Sequence, residues 1–132
     1  MRYLRSLTLM VAFAIASSAA ACAAHAKADP AHADVGREEI GLASFYSNKL
    51  AGHKTANGEK YDPELLTGAH KTLPFGTIVE VVRPDGRSVR VRINDRGPFT
   101  KGRVIDISYK AAEELGLVKD GVAEVTLKVV SD

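Results

Sequence analysis

Tryptophan is absent from this 132-residue sequence, aromatic residues together make up 6% of it, and there is one cysteine, Cys22. A lone cysteine cannot pair within the chain, so the fold relies on no internal disulfide. Long apolar runs are also missing. The apolar stretch Leu7 to Ala16 is about half of the roughly 20 residues that a helix needs to cross a bilayer. Charge of one sign is lacking as well: of 18 Lys and Arg, two (Arg2 and Arg5) lie at the very start, and the rest balance the 16 Asp and Glu. Nothing here marks a nucleic-acid footprint, and no nucleic-acid partner is expected. The length fits one domain, and 26% charged with 45% hydrophobic residues is ordinary for a folded one.

The first 26 residues have the three zones of a secretory signal peptide: a basic start, an apolar core, and small residues up to Ala24-His25-Ala26. Export to the periplasm or cell envelope follows. Cys22 is either discarded with this leader or is the lipidation site of a degenerate lipoprotein signal, the sole route to a membrane that we expect. Residues 27–39, rich in Ala, Asp and Pro without apolar period, read as a flexible linker. The folded unit is expected over residues 40–130.

Within it, Gly41 to Tyr46 suggests a strand. Ile78 to Val82 and Ser88 to Ile93 flank Pro84-Asp85-Gly86 and predict a β-hairpin, with Val89, Val91 and Ile93 on the core face and Ser88, Arg90, Arg92 and Asn94 on the wet face. Val104 to Ile107 is a further strand. Tyr109 to Leu115 is a short helix capped by Ser108 and ended by Gly116, and Asp62 is placed to cap a second one over Pro63 to Leu66. Val122 to Val130 closes the chain as an alternating strand. Five or six short strands with one or two small helices form a mainly β barrel, whose closure removes exposed edges.

Two polar stretches can carry chemistry: Gly52 to Asp62 with Thr67 to Pro74, and Asn94 to Phe99. Each residue also has a plain role. Asn57-Gly58 is a common turn, Asp95 can accept amides of its own loop, His70 can be a buried histidine satisfied by backbone, and His53 reads as a solvated loop residue. No histidine and acid pair has structural-zinc spacing, so no metal is expected, and there is no phosphate loop or thiol nucleophile in the domain.

Taken together, Gly41-Leu42-Ala43-Ser44-Phe45-Tyr46, Lys54 to Asp62, Thr67 to Pro74, Val91 to Phe99 and Val104 to Ser108 resemble the rare lipoprotein A family of bacteria. The resemblance implies a six-stranded double-psi β-barrel, with no cofactor, acting as a monomer on peptidoglycan glycan strands. The implied reaction is endolytic lytic transglycosylation of β-1,4 MurNAc–GlcNAc bonds, preferring strands without stem peptides and leaving 1,6-anhydro ends. The family's functional residues fall on Glu59, His70 and Asp95. In this scheme Asp95 is acid and then base, with Glu59 across the cleft raising its pKa and His70 holding substrate or an acid in place. Tyr46, Asn57, Tyr61, Asp62, Arg96 and Phe99 are the expected substrate-binding residues, with Arg96 either shaping the Asp95 loop or pairing with a carboxylate. Phe45 and Ser47 depart from the family's usual Trp and Gly. Many members carry a C-terminal glycan-binding domain that does not occur within these 132 residues, which leaves septal targeting by that route open. The alternative is a non-catalytic glycan-binding barrel of the expansin kind.

Overall fold

The structure, a computed structural model, describes residues 34–131. The expected leader, Cys22 and most of the expected linker lie outside the described residues. Six strands form a closed barrel: β1 (Glu38–Phe45), β2 (Thr67–Ala69), β3 (Ile78–Val82), β4 (Ser88–Asp95), β5 (Arg103–Ile107) and β6 (Ala123–Ser131). Their order around the barrel is β1-β5-β2-β4-β3-β6. The β1–β5 and β2–β4 pairs are parallel and the other four antiparallel, which interlocks the two halves of the chain as a double-psi barrel.

The hairpin forms where local chemistry favours it. Asp85 Oδ1 accepts from the Arg87 amide at 2.9 Å, and Gly86 takes φ 92° in the turn. Along β4 the side chains of Val89, Val91 and Ile93 are buried while Ser88 and Arg90 are exposed, as the alternation requires. Asn94 departs from that parity. It is 2% exposed because the loop at 55–59 lies over it, the Asn57 amide donating to the Asn94 carbonyl at 3.2 Å. Inside the barrel Val79, Val81, Val91, Ile93, Ile105, Ile107 and Val125 are all but fully buried. Each contributes about 1.5–3 kcal/mol of burial.

The helix α1 (Tyr109–Leu115) starts where Ser108 Oγ accepts from the Ala111 amide and stops at Gly116, whose φ of 72° admits a left-handed cap. The second expected helix does not form. Pro63 to Leu66 is a turn, and Asp62 Oδ1 accepts from the Glu64 amide at 2.9 Å without a helix following. A single 3₁₀ turn sits instead at Asn48–Leu50.

Two boundaries also differ from expectation. Thr67–Ala69 is a strand although its three residues show no alternation, because all three are buried between β4 and β5. And β1 begins at Glu38 rather than Gly41, two residues before the expected start of the folded unit at 40. Glu38 and Glu39 pair with Lys128 and Leu127 of β6, and the Gly36 amide donates to the Val129 carbonyl, so the end of the expected linker is part of the barrel.

Candidate active site

The loop between β1 and β2 folds back as a small hairpin. The Gly52 amide donates to the Tyr61 carbonyl and the Tyr61 amide to the His53 carbonyl, Lys54 bridges Lys60, and the Thr55 amide donates to the Glu59 carbonyl at 2.7 Å. Its tip, Thr55 to Glu59, turns on Asn57 and on Gly58 at φ 93°. Asn57 Oδ1 accepts from the Thr55 hydroxyl at 2.7 Å and from the Glu59 amide at 3.0 Å. Asn57 therefore builds the turn.

Glu59 locks that tip to the barrel. Its two oxygens accept from Arg92 Nη1 and Nη2, both at 2.8 Å, and from the side-chain amides of Asn57 and Asn94. The guanidinium and these amides hold the Glu59 carboxyl at a pKa of about 2. Its charge is thus neutralised by a cation in contact. This removes the expected role in which Glu59 raises the pKa of Asp95, because a carboxylate forked onto Arg92 exerts little repulsion on a neighbour.

The docked tip brings the Ala56 amide to Asp95. Asp95 Oδ1 accepts from Ala56 N and from its own neighbour Arg96 N, both at 2.9 Å, and Oδ2 accepts from the Tyr46 hydroxyl at 2.7 Å. A carboxylate offers about four acceptor positions. Three are taken, two on Oδ1 and one on Oδ2, so one lone pair on Oδ2 is open to a proton or a ligand hydroxyl. The Tyr46 phenol is pushed far above its usual pKa, first by burial, then by the hydrogen bond to Asp95 and the charges of Asp95 and Asp106. It stays a neutral donor. Tyr61 packs its ring 4.9 Å from that of Tyr46 and accepts the Tyr109 amide on its hydroxyl at 3.1 Å, which fixes the pair from behind.

In front of Asp95 lies a pocket of about 190 Å³ lined by Tyr46, Leu50, His53, Lys54, Thr55, Tyr61 and Asp95. That is smaller than the roughly 300–1,000 Å³ of drug-sized sites and suits one ring of a polymer passing over it.

His70 faces elsewhere. Its Nδ1 accepts from the Thr72 and Leu73 amides at 3.1 Å, which leaves the proton on Nε2 to donate to Glu39 Oε2 at 2.8 Å. Burial lowers its pKa, only partly opposed by Glu39. Its link to Asp95 is through the main chain, the His70 amide donating to the Asp95 carbonyl at 3.2 Å. Arg96 does not pair with the Asp95 carboxylate. Its Nη1 donates to the Leu73 carbonyl at 2.8 Å and the His70 carbonyl at 3.3 Å, and its guanidinium lies 4.0 Å over the Phe75 ring, so it shapes the loop beneath Asp95.

Of the residues singled out from sequence, then, Asp95, Tyr46 and Tyr61 line the pocket, Glu59 and Asn57 build its wall, and His70 and Arg96 support its floor. Asp62 serves its own turn, and Phe99 projects into solvent at 85% exposed. Phe45 packs against the core, edge-on to Tyr109 with ring centres 6.1 Å apart. His53, read from sequence as a solvated loop residue, is indeed exposed, at the pocket's edge. Sequence reasoning gave no site role to Glu39 or Arg92, nor to Lys54 within its motif block. It also missed a polar cluster across β1 and β5, in which Ser44 donates to Asp106 and Arg103 Nη1 donates to Ser44 Oγ at 2.6 Å. Among the described residues no three His, Cys, Asp or Glu side chains are placed to hold a metal ion.

The family described as lytic transglycolase matches residues 38–127. The chain belongs to this RlpA-like family. The endolytic peptidoglycan transglycosylase RlpA of Vibrio cholerae is 50% identical over 97 residues, covering 73% of this chain and 37% of its own. RlpA of Pseudomonas aeruginosa PAO1 is 51% identical over 90 residues, covering 67% and 26%. The chain thus spans about a quarter to just over a third of the length of such relatives. Among solved structures, the Streptomyces papain inhibitor aligns with a TM-score of 0.62 at 25% identity, covering 75% of this chain and 99% of that one. An expansin of Clavibacter michiganensis aligns at 0.58 and 22%, covering 73% and 52%. These likenesses show the double-psi barrel fold. In this RlpA-like barrel the family match begins at Glu38, so it takes in Glu39, the residue that holds the His70 ring.

Proposed function

We propose that this domain is an endolytic lytic transglycosylase that cuts β-1,4 MurNAc–GlcNAc bonds of peptidoglycan strands lacking stem peptides, working in the cell envelope on wall organisation. The observation that carries the reading is Asp95: an acid at the wall of an open pocket, with three acceptor positions filled by fixed donors and one left open. The family membership and the relatives' names support the substrate.

The chemistry needs one carboxyl group used twice. Asp95 protonates the glycosidic oxygen as the bond from the muramyl C1 breaks, with positive charge developing at C1. The muramyl C6 hydroxyl then attacks C1, forming the 1,6-anhydro bond and returning its proton to Asp95. Atoms and charge balance without water. The Tyr46 hydroxyl and the Ala56 and Arg96 amides hold the carboxylate still and stabilise its charged form between the two transfers. Glu59 with Arg92, and His70 with Glu39, act as positioning residues for the two segments that supply those donors.

The test is product analysis on denuded strands. Asp95→Asn keeps acceptors for the Ala56 and Arg96 amides, so the barrel folds, yet it has no proton to give; release of anhydro-muramyl ends should fall at least a hundredfold, the lower range of general acid catalysis. Wild-type product with ordinary reducing ends would make the enzyme a hydrolase. Unchanged yield from the variant would remove Asp95 from the reaction, and strand binding without new ends would favour the glycan-binding alternative.

A further inference from the structure

Lys54 is the one Lys or Arg among the residues lining the Asp95 pocket, and none of the ion pairs among the described residues involves it. Its cross-strand partner in the small hairpin is Lys60. Residues directly opposite in an antiparallel pair project from the same face, so these two like-charged side chains leave the hairpin together, a pairing that disfavours the fold unless an anion joins it. Both residues are exposed, and the hydrogen bonds on either side of the bridge, from Tyr61 N to His53 O and Thr55 N to Glu59 O (each 2.7 Å), fix this register. Neither lysine takes part in any of the ion pairs among the described residues. Other lysines of the loop need not sit opposite one another; these two do, and one of them is on the pocket wall.

We infer that Lys54 and Lys60 form a carboxylate-binding subsite at the rim of the Asp95 pocket, and that its ligand is the free lactyl carboxylate of a muramyl residue. The inference rests on the reading of the domain as acting on peptidoglycan glycan. On a strand bearing stem peptides that carboxyl group is consumed in an amide bond, so it carries no charge and brings a peptide into the space beside the lysines. On a stripped strand it is an anion, which satisfies both ammonium groups at once. The pair thereby becomes the element by which the site tells the two kinds of strand apart. The Asp95 carboxylate on the same pocket repels an anion, so the lysines also hold the lactyl group away from the catalytic acid.

The experiment uses denuded strands in two forms, one with free lactyl carboxylates and one with the same groups converted to primary amides. Binding is measured with Asp95→Asn protein, to prevent turnover, and cleavage with protein that retains Asp95. The free-acid strands should bind about three- to fivefold more tightly, the scale of one exposed charge pair, and the difference should shrink in high salt. Lys54→Gln and Lys60→Gln should each erase most of that preference and raise KM on free-acid strands with kcat little changed, while Lys54→Arg retains it. Lys60→Gln should also raise the melting temperature slightly by relieving the repulsion, which separates a binding role from a structural one. Equal binding of the two strand forms, or a preference that survives both glutamine variants, overturns the subsite. If protein retaining Asp95 yields no anhydro ends but the lysine-dependent preference persists, the lytic reading falls and the subsite stands; if anhydro ends appear without the preference, the subsite alone falls.

Discussion

Glu59→Gln separates a catalytic role from a positioning one. The residue's two oxygens lie 2.8 Å from the two Arg92 nitrogens, but the side chains are 42% and 35% exposed. Solvent screening holds such a pair to about 0.5–1 kcal/mol, well short of the 3–5 kcal/mol lost on breaking a buried one. At roughly 4–8 °C per kcal/mol for a domain of this size, the melting temperature should fall by about 2–8 °C. Arg92→Gln should do the same, and the double variant should add little more, giving a coupling of about 0.5–1 kcal/mol in the cycle. The tip released from Arg92 delivers the Ala56 amide to Asp95 less firmly, so kcat/KM on denuded strands should drop about tenfold or less. Glu59 should also be silent in the pH–rate profile above pH 5. Its folded pKa of about 2 lies below its ordinary 4.5, so it is ionised throughout, and the stability it contributes is present above pH 4.5 and lost only as pH falls towards 2. A Glu59→Gln protein that melts like wild type yet loses a thousandfold in kcat would refute this reasoning and put the carboxylate in the chemistry.

Two further outcomes follow from the same geometry. Tyr46→Phe removes the donor 2.7 Å from Asp95 Oδ2; a hydrogen bond to a charged group is worth about 1.5–3 kcal/mol, so melting should fall measurably, and the rate of anhydro-end release by roughly ten- to a hundredfold at temperatures where the variant is folded, while an unchanged rate would show that the hydroxyl does not serve Asp95. His70 is buried with its pKa lowered, so below its unfolded value of 6.5 the unfolded chain binds the extra proton and stability declines as pH falls, while above 6.5 it contributes no slope. Urea titrations between pH 7 and 5 should show this decline in wild type and a flatter one in His70→Gln; equal slopes would show that His70 is not the group responsible.

How much of this was legible in the sequence depended on how local each cause is. The hairpin turn at Pro84-Asp85-Gly86 and the two caps of the helix, Ser108 and Gly116, are each set by bonds spanning no more than four positions, and both form as their chemistry predicts. Thr67–Ala69 could not be recognised by period, because a strand buried on both faces does not alternate. Its glycine shows why it is there: a Cβ at Gly68 would lie 3.1 Å from the Asp106 carbonyl of the neighbouring strand. The expected linker hid Glu39 for a similar reason. Its composition is that of a tether, yet its last two residues are held by β6 and by a histidine 31 positions away.

The site was less legible than the fold, and the Asp95 carboxylate shows the physical reason. Its three donors arrive from Tyr46 at the end of β1, Ala56 at a loop tip and Arg96 next door, that is from 49, 39 and one position away. Spacing alone cannot bring the first two together; only closing the barrel with the parallel β1–β5 and β2–β4 pairs does so. The parity of β4 did place Arg92 on the outer face, but its partner Glu59 lies in a loop 33 residues earlier, and that pairing is what lays the tip over Asn94 and buries a residue that alternation assigns to solvent. Motif resemblance located the acids; barrel closure decides that one of them faces an open pocket while the other is spent on an arginine. Roles carried over from a motif therefore have to be divided again by what each side chain touches, and here Asp95 touches the pocket while Glu59 touches Arg92.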